Sequence, residues 1–325
     1  MRKYWILIAA ATLLIMFQAF VPTKEPATKA ELGELLFFDP ILSSDSTISC
    51  ASCHKPDFAF ADTSAVSLGV GGAKGNRNTP SAMNVLLQQS FFWDGRAASL
   101  EDQALKPIEN PVEMNLPLDV AIARLKQSKT YSVWFKKIFK TEPSPESLAQ
   151  AIAAFERTLE TSDSPFDDWK YSDRPDAVSE AVKRGFNVFN TKGKCSQCHF
   201  GADFASPEFR NIGLFNGKDF NDSGRATITL KADDLGRFKI GPLRNIALTG
   251  PYMHNGMFKT LEEVIEFYND TEKIIKNPIN KDSLLAKPLG LTAQDKSDLL
   301  AFMLALTDKR FTVNDNSAYP FPNKP

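Results

Sequence analysis

Apolar residues at helical spacing dominate the chain from residue 29 onwards. Over residues 147–159, apolar side chains recur with the period of 3.6 residues that is typical of an amphipathic helix. The same kind of spacing predicts further helices over residues 29–38, 118–126, 131–139, 177–189 and 292–306. We therefore predict a mainly α fold.

Polar and proline-containing segments interrupt this helical pattern. Ser99 and Asp102 fit the capping-box pattern, which predicts a helix that begins there and runs through residue 105. The segments SDSP at 162–165 and SDRP at 172–175 break the chain, so we place a domain boundary between residues 165 and 175. Two long loops are predicted over residues 62–80 and 201–241. The expected domains cover residues 28–165 and 175–312.

The first 22 residues have the pattern of an export signal. Arg2 and Lys3 precede an apolar stretch over residues 5–20, in which Gln18 is the clearly polar position. The stretch is shorter than the ~20 residues that a membrane-spanning helix needs. A buried core helix is the alternative, and no clean cleavage site precedes Pro22. We expect export to the periplasm, with an uncleaved N-terminal anchor left open.

The composition is that of a globular protein. Hydrophobic residues make up 43% of the 325 residues and charged residues 24%, which excludes a disordered chain, a collagen and a coiled coil. With 38 Lys and Arg against 39 Asp and Glu, the formal net charge is −1. This balance carries no global signature of nucleic-acid binding, and no nucleic-acid partner is expected.

The four cysteines fall in two C-x-x-C-H motifs, CASCH at 50–54 and CSQCH at 195–199. This spacing is typical of c-type haem attachment, because two thiols bind the vinyl groups of one haem and the adjacent histidine becomes the proximal iron ligand. A disulfide framework, a redox dithiol, a zinc site and an iron–sulfur site are the alternatives. A dithiol or a four-cysteine zinc site leaves the histidine that follows each motif unexplained. We therefore predict two covalent haems, attached by Cys50, Cys53, His54, Cys195, Cys198 and His199.

Several longer motifs resemble one family. They are LGELLFFDPILSSDSTISCASCH, GNRNTPSAMN, FFWDGRAASLEDQALKPIENPVEMN, DLGRFKIGPLRNIALTGPYMHNG and TLEEVIEFY. In this order they resemble the bacterial di-haem cytochrome c peroxidases, including the MauG branch, the di-haem enzyme of methylamine utilisation. The resemblance implies two cytochrome c-like, mainly helical domains, with the active iron in the first.

The count of histidines limits the iron ligands. Of three histidines, His54 and His199 are assigned as proximal ligands, so His254 is the one histidine left. Many members of the family carry a further histidine in the loop that corresponds to residues 62–80, where it blocks the first iron. This loop has no histidine here. We expect the iron of haem 1 to be five-coordinate or water-ligated, and a weaker ligand from the loop stays open.

The resemblance places three residues over the open face of haem 1: Gln103, Pro107 and Glu113. Splitting the O–O bond of peroxide requires a proton to move between its oxygens, and a carboxylate within reach can relay it. Glu113 is the expected acid–base residue, and Gln103 is expected to orient peroxide. The alternative is that both are solvated loop residues.

The resemblance implies a second ligand of haem 2 at 14 residues after the histidine of the PYMH segment, His254, which is Tyr268 in this chain. The peroxidases usually have Met at this position and the MauG branch has Tyr. Met253 and Met257 stay open as competing thioether ligands. A purely structural role is also open, because Tyr268 shares one helical face with Leu261, Val264 and Ile265.

The resemblance assigns further residues around the haems. Trp93 corresponds to a tryptophan between the two haems, which provides an oxidisable bridge for electrons. His254 is expected near the haems as a partner of a propionate rather than as an iron ligand, and Arg244 is expected to pair with a propionate. A calcium site between the domains is expected at Asn84 and the carbonyl groups of Thr249 and Pro251.

The resulting expectation is a di-haem c-type peroxidase. Electrons from a small cytochrome c or cupredoxin would enter at haem 2, pass Trp93 and reach haem 1, where hydrogen peroxide is reduced to water. The alternatives are a MauG-like enzyme that oxidises side chains of a partner protein and a plain di-haem electron carrier. Homodimers are common in the family, so a homodimer is a further expectation.

Overall fold

The computed structural model describes residues 25–312, so the predicted export signal lies outside the described residues. In this part of the chain the α-helices are α1 Lys29–Phe38, α2 Cys50–Cys53, α3 Leu100–Glu109, α4 Leu118–Gln127, α5 Lys129–Phe139, α6 Pro145–Glu156, α7 Pro165–Tyr171, α8 Glu180–Asn190, α9 Ala226–Thr229, α10 Leu261–Asn269, α11 Thr271–Ile274 and α12 Ala293–Leu304. Short 3-10 helices cover Pro40–Leu42, Pro56–Phe58, Val70–Gly72, Pro175–Ala177, Cys195–Gln197, Ala232–Asp234, Ile246–Leu248, Ser283–Leu285 and Lys309–Phe311. Strands β1 Phe209–Arg210 and β2 Phe238–Lys239 pair antiparallel.

None of the helices within residues 25–312 has both the length and the apolar character that crossing a membrane requires.

The helices predicted from periodicity are present, and all of them except α4 begin at a capping side chain. Helix α1 covers exactly the predicted residues, and α12 begins directly after its N-cap, Thr292. The Ser99 hydroxyl accepts a hydrogen bond from the Asp102 N–H at 3.0 Å, which confirms the predicted start of α3. Helix α3 continues beyond residue 105 to Glu109 and includes Pro107. The helix tolerates this proline because it lies in the last turn, where its missing N–H removes one hydrogen bond.

The predicted break at residues 162–165 lies between two helices, after α6 ends at Glu156 and where α7 begins at Pro165. Ser164 caps α7, and its hydroxyl donates to Asp167 Oδ2 at 2.5 Å. Phe166 on this helix belongs to the core of the second half of the chain. Serine followed by proline at the first helical position is a helix-start signal as well as a breaking signal, and tertiary packing decides between the two.

Each half of the chain is built on two helices that cross at a glycine. Helix α1 packs on α6 where Gly33 meets the backbone carbonyl of Ala151, and α8 packs on α12 where Gly185 meets the backbone carbonyl of Asp298. A Cβ at either glycine would overlap that carbonyl. The two crossings therefore depend on the absence of a side chain, which lets the helix backbones touch.

The same repeat continues in the aromatic cores. In the first half, Phe37 and Phe155 follow the crossing residues by one helical turn, and their ring centroids lie 5.1 Å apart. In the second half, Phe189 and Phe302 also follow the crossing residues by one helical turn, and their ring centroids also lie 5.1 Å apart. Both pairs are edge-to-face, the arrangement that the charge distribution of aromatic rings favours. The two halves thus repeat one packing pattern.

Ion pairs and hydrogen bonds connect the two halves. The Arg77 guanidinium donates to Asp94 at 2.6 Å and makes a bidentate contact with Asp222 at 2.7 and 2.8 Å. The Asn245 amide donates to the Thr161 hydroxyl at 2.6 Å. These contacts involve residues far apart in the sequence, so they set the position of one half against the other.

We expect Gly185→Ala to lower the free energy of unfolding by about 1–3 kcal/mol, because the added methyl group overlaps the α12 backbone. Alanine favours a helix over glycine by about 1 kcal/mol, so a net loss reports the steric overlap. Denaturant unfolding followed by circular dichroism measures it. Gly75→Ala is the control, since its nearest neighbour, Ser67 O, is 3.6 Å away. Equal unfolding midpoints for both variants would contradict the crossing argument.

Candidate functional site

A continuous cavity extends between the two C-x-x-C-H segments. Its wall consists mainly of apolar side chains. Fifteen of the residues predicted from the sequence line it: Cys50, Cys53, His54, Trp93, Gln103, Pro107, Glu113, Cys195, Cys198, His199, Arg244, Thr249, Pro251, His254 and Tyr268. Asn84 does not line the cavity. The fold therefore brings segments that are far apart in sequence to one apolar site.

Both motif histidines are held in the same way. The His54 Nδ1–H donates to the Phe60 carbonyl at 3.0 Å, and the His199 Nδ1–H donates to the Phe204 carbonyl at 2.9 Å. Phe60 and Phe204 have positive φ angles of 56° and 52°. Burial lowers the pKa of both imidazoles, which keeps them neutral. A neutral imidazole with Nδ1 engaged is fixed to bind a metal through Nε2.

The cysteines are free thiols on short helical turns. The His54 N–H donates to the Cys50 carbonyl at 2.9 Å, and the His199 N–H donates to the Cys195 carbonyl at 2.8 Å. Burial raises the pKa of the Cys195 thiol to about 12 and also raises that of Cys50. Among residues 25–312, no three or more His, Cys, Asp or Glu residues come close enough to hold a metal ion together. The two motifs therefore do not form one shared four-cysteine cluster.

Glu113 has the surroundings of a proton-transfer group. The Asn110 amide donates to Glu113 Oε1 at 2.8 Å. Burial raises the pKa of Glu113, while the Asn110 hydrogen bond and the charge of Arg96 oppose that shift. Gln103 lines the same cavity from helix α3. A carboxyl group in such a setting holds its proton to a higher pH than a solvated carboxyl group does.

The loop over residues 62–80 is tied to the wall of the site. Asp62 accepts hydrogen bonds from Lys55, at 2.6 Å, and from the Ser67 hydroxyl. The Ser67 and Thr79 hydroxyl groups lie 2.6 Å apart. Lys74 is exposed and is not part of the cavity lining, so the loop directs its lysine to solvent.

Trp93 and His254 are locked together by the Asn78 backbone. The Trp93 Nε1–H donates to the Asn78 carbonyl at 2.8 Å, and the Asn78 N–H donates to the His254 carbonyl at 2.7 Å. The rings of Trp93 and His254 meet edge-to-face at 6.4 Å, and His254 stacks on Phe238 at 3.8 Å. Burial lowers the pKa of His254 to about 4. His254 is thus a neutral ring within an aromatic group beside Trp93.

Tyr268 lines the cavity from helix α10. Burial and the nearby thiols of Cys195 and Cys198 raise the pKa of its phenol. Met253 lines the cavity too, whereas Met257 packs against the second core and is not part of the lining. Of the three candidate ligands of the second haem, Tyr268 and Met253 therefore line the cavity and Met257 does not.

Two cations from the second half of the chain, the buried Arg244 and the partly buried Lys239, line the cavity. Arg244 donates to Asp167 Oδ2 at 2.8 Å and to the Ala202 carbonyl at 2.9 Å. Lys239 donates to the neutral amide oxygen of Gln88, and burial lowers the pKa of its amine to about 8. Lys239 was not among the site residues predicted from the sequence. Its position between Phe238 and Ile240 was the sequence feature that could have indicated a lysine held in apolar surroundings.

Asn84 contacts the second half from outside the cavity. Its amide donates to Asp203 Oδ1 at 3.0 Å. In the part of the chain that the structure describes, its buried Oδ1 has no hydrogen-bond partner. A buried carbonyl oxygen without a donor suits a hard cation, so this feature fits the expected calcium site.

Glu156 is a buried acid that the sequence analysis missed. It is 6% exposed, lines the cavity and lies on helix α6. Burial raises its pKa to about 8. A signal was present in the sequence, because position 156 follows Ile152 by four residues and so shares the apolar face of the helix.

Comparison with known proteins identifies the family. A sequence profile described as di-haem cytochrome c peroxidase matches residues 27–175. The methylamine utilization protein MauG of Methylorubrum extorquens is 37% identical over 293 residues, which cover 88% of this chain and 80% of that protein. The chain belongs to the di-haem cytochrome c peroxidase family. Its predicted resemblance is thereby confirmed.

Relatives in this family carry both peroxidase and MauG names. The cytochrome c551 peroxidase of Nitrosomonas europaea is 35% identical over 288 residues, which cover 88% of this chain and 81% of that protein. The crystal structure of a MauG-like protein associated with microbial copper homeostasis matches with a TM-score of 0.80 and 32% identity, over 90% of this chain and 94% of that one. The mainly α di-haem fold and the two c-type haems are confirmed.

The residues at the two motifs fit the haems that the di-haem cytochrome c peroxidase family implies. Each motif offers two thiols and a neutral, oriented imidazole at the cavity wall. We expect two covalent haems per wild-type chain and one in the Cys195→Ala/Cys198→Ala double variant, because its second motif has no thiol to form a thioether. The pyridine haemochromogen assay counts them. A double variant that still carries two covalent haems would refute the assignment.

Proposed function

We propose that this protein is a di-haem c-type peroxidase that reduces hydrogen peroxide to water at the haem held by His54. Two electrons and two protons convert one peroxide to two waters. The haems supply the redox-active iron, and the chain supplies position and protons. The observation that carries the proposal is Glu113, a partly desolvated carboxyl group at the cavity beside the first motif.

Glu113 and Gln103 have different roles in the reaction of peroxide: Glu113 transfers a proton and Gln103 orients the peroxide. The Asn110 amide bonded to Oε1 leaves the second carboxyl oxygen of Glu113 to take a proton from peroxide and return it to the departing oxygen. The Gln103 amide offers both a donor and an acceptor with which to orient peroxide. The loop over residues 62–80 directs Lys74 away from the cavity, which supports an accessible position opposite His54.

The aromatic group around Trp93 supports a route for electrons between the two motifs. Trp93 is fixed by Asn78 through its Nε1–H, and its own carbonyl accepts the Lys239 N–H at 2.8 Å. A rigid indole needs little rearrangement when an electron passes. Electrons from a small cytochrome c or cupredoxin enter at the haem held by His199 in this proposal and leave past Trp93.

A MauG-like oxidation of a partner protein's side chains is the second candidate function. Tyr268 at the cavity favours it, because a phenolate ligand stabilises ferric iron whereas a thioether raises the haem potential. A relative named for methylamine utilisation shares 37% identity with this chain. Peroxide turnover with a reduced small redox protein, as against a covalent change in a protein substrate, separates the two functions.

Two further features belong to the same proposal. Calcium is held by Asn84 Oδ1 with the carbonyl groups of Thr249 and Pro251, and the unpartnered Asn84 Oδ1 supports this placement. The signal-like pattern over residues 1–22 supports export to the periplasm. The homodimer stays a prediction.

We expect Glu113→Gln to slow peroxide reduction by about 100-fold or more, because the amide cannot accept the proton. The wild-type rate should fall as the pH drops through the raised pKa of Glu113, since the carboxylate is the working form. The variant should lack this pH dependence. Stopped-flow reaction with peroxide measures both.

Glu109→Gln is the matched control, because Glu109 is exposed at the end of the same helix, α3. Its rate should equal that of the wild type. Equal rates in the wild type and Glu113→Gln would remove Glu113 from the mechanism. Absence of peroxide turnover in haem-loaded wild type with every small donor would overturn the peroxidase proposal itself.

We expect Tyr268→Phe to remove the low-spin ferric signal of the haem held by His199, because the variant lacks the ligand oxygen. Met253→Leu should leave that signal in place. Electron paramagnetic resonance of the ferric proteins measures it. The reverse result, with loss in Met253→Leu and retention in Tyr268→Phe, would assign a thioether ligand instead.

A further inference from the structure

Glu156 has a setting that the proposed peroxide chemistry does not use. It lies on the last turn of α6 and is 6% exposed. Within residues 25–312, no group donates a hydrogen bond to its Oε2. A buried carboxylate without a donor is costly, so such a group is stable mainly in its protonated form. Its position in the cavity lining makes this proton available to the site.

The charges nearest Glu156 leave its own charge unbalanced. Burial is the largest influence on its pKa, the Arg157 guanidinium lowers that pKa, and the Glu101 carboxylate raises it. Arg157 forms a bidentate contact with Glu101 at 2.7 and 2.9 Å. Arg157 therefore pairs with Glu101 rather than with Glu156. On α3, Asp102 pairs with Lys106 at 2.9 Å.

Helix α1 also packs on α6, and its charged groups are engaged locally. Lys29 donates to the Gln150 side chain at 2.8 Å. Glu31 accepts hydrogen bonds from the backbone N–H of Thr28 at 3.0 Å as part of the helix cap. The half-buried Glu34 has a pKa raised by burial and by the Glu31 charge. No contact from α1 therefore supplies a cation to Glu156.

Glu156 lies close to the attachment point of the first haem. Its charge raises the pKa of the Cys50 thiol, and so, more weakly, does the charge of Glu113. Both acids thus act on the thiol that binds the edge of this haem. Charges interact strongly across a poorly solvated cavity, so a charge on Glu156 is felt by the iron held by His54.

We propose that Glu156 is a positioning residue that couples reduction of the His54-bound haem to uptake of one proton. When ferric iron gains one electron, the site loses one positive charge, and the Glu156 carboxylate takes up one proton from solvent. When the iron loses that electron, Glu156 releases the proton. The electron comes from the donor of the proposed function, on which this inference rests.

The midpoint potential of this haem tests the coupling. In the holoprotein, the potential should fall with increasing pH across the region around pH 8, where Glu156 titrates, because reduction then requires a proton. Glu156→Gln should have a flatter profile and a higher potential than the wild type above this region, since the amide carries no negative charge. Spectroelectrochemical titration at a series of pH values measures it.

Glu146→Gln is the matched control, because Glu146 is exposed on the same helix. Its potential should follow the wild-type profile. A Glu156→Gln profile that superimposes on that of the wild type would overturn the coupling. The potential does not depend on peroxide, so failure of peroxide turnover in the same preparations would refute the proposed function alone.

Redox-difference infrared spectroscopy of the wild-type holoprotein provides a test that needs no stable variant. Reduction at a pH slightly above 8 should produce a carboxylic-acid C=O band as Glu156 becomes protonated. The band should be absent from Glu156→Gln where that variant folds and binds haem. A wild-type difference spectrum without this band would overturn the proposal.

Discussion

Direct contact between helix backbones at two glycines is the constraint on which both halves of the molecule depend. Gly33 and Gly185 let each N-terminal helix touch the C-terminal helix of its half, and a phenylalanine one turn later joins the aromatic core. These crossings fix the end of the helix that leads to each C-x-x-C-H motif. A larger residue at either glycine would separate the pair of helices on which that half is built.

The charges at the cavity are arranged unevenly. Arg77 and Arg244 line it and are paired with aspartates, whereas burial raises the pKa of Glu113 and Glu156 by more than nearby arginines lower it. Burial shifts such acids toward their protonated forms. Both acids therefore hold a proton to a higher pH at this cavity than they would in water. The proposed reduction of peroxide would use this property, since each electron must be matched by a proton.

The polar contacts that join the halves also organise the centre of the site. The Asn78 backbone holds both Trp93 and His254, and Arg77, one residue earlier in the chain, binds aspartates from both halves. The same short segment therefore fixes the aromatic group and the position of one half against the other. Movement between the halves would therefore alter the environment of Trp93.

The sequence by itself determined the features with a local cause: the two haem-attachment motifs, the helix that begins at Ser99, and α1 to the residue. These depend on spacing and capping within a few residues. Only the tertiary structure decided that Phe166 joins the second core, that Glu156 lines the cavity and that the Lys239 N–H donates to the Trp93 carbonyl. Burial and neighbours come from segments far apart in the chain, and their contacts are set by long-range packing that local patterns do not contain.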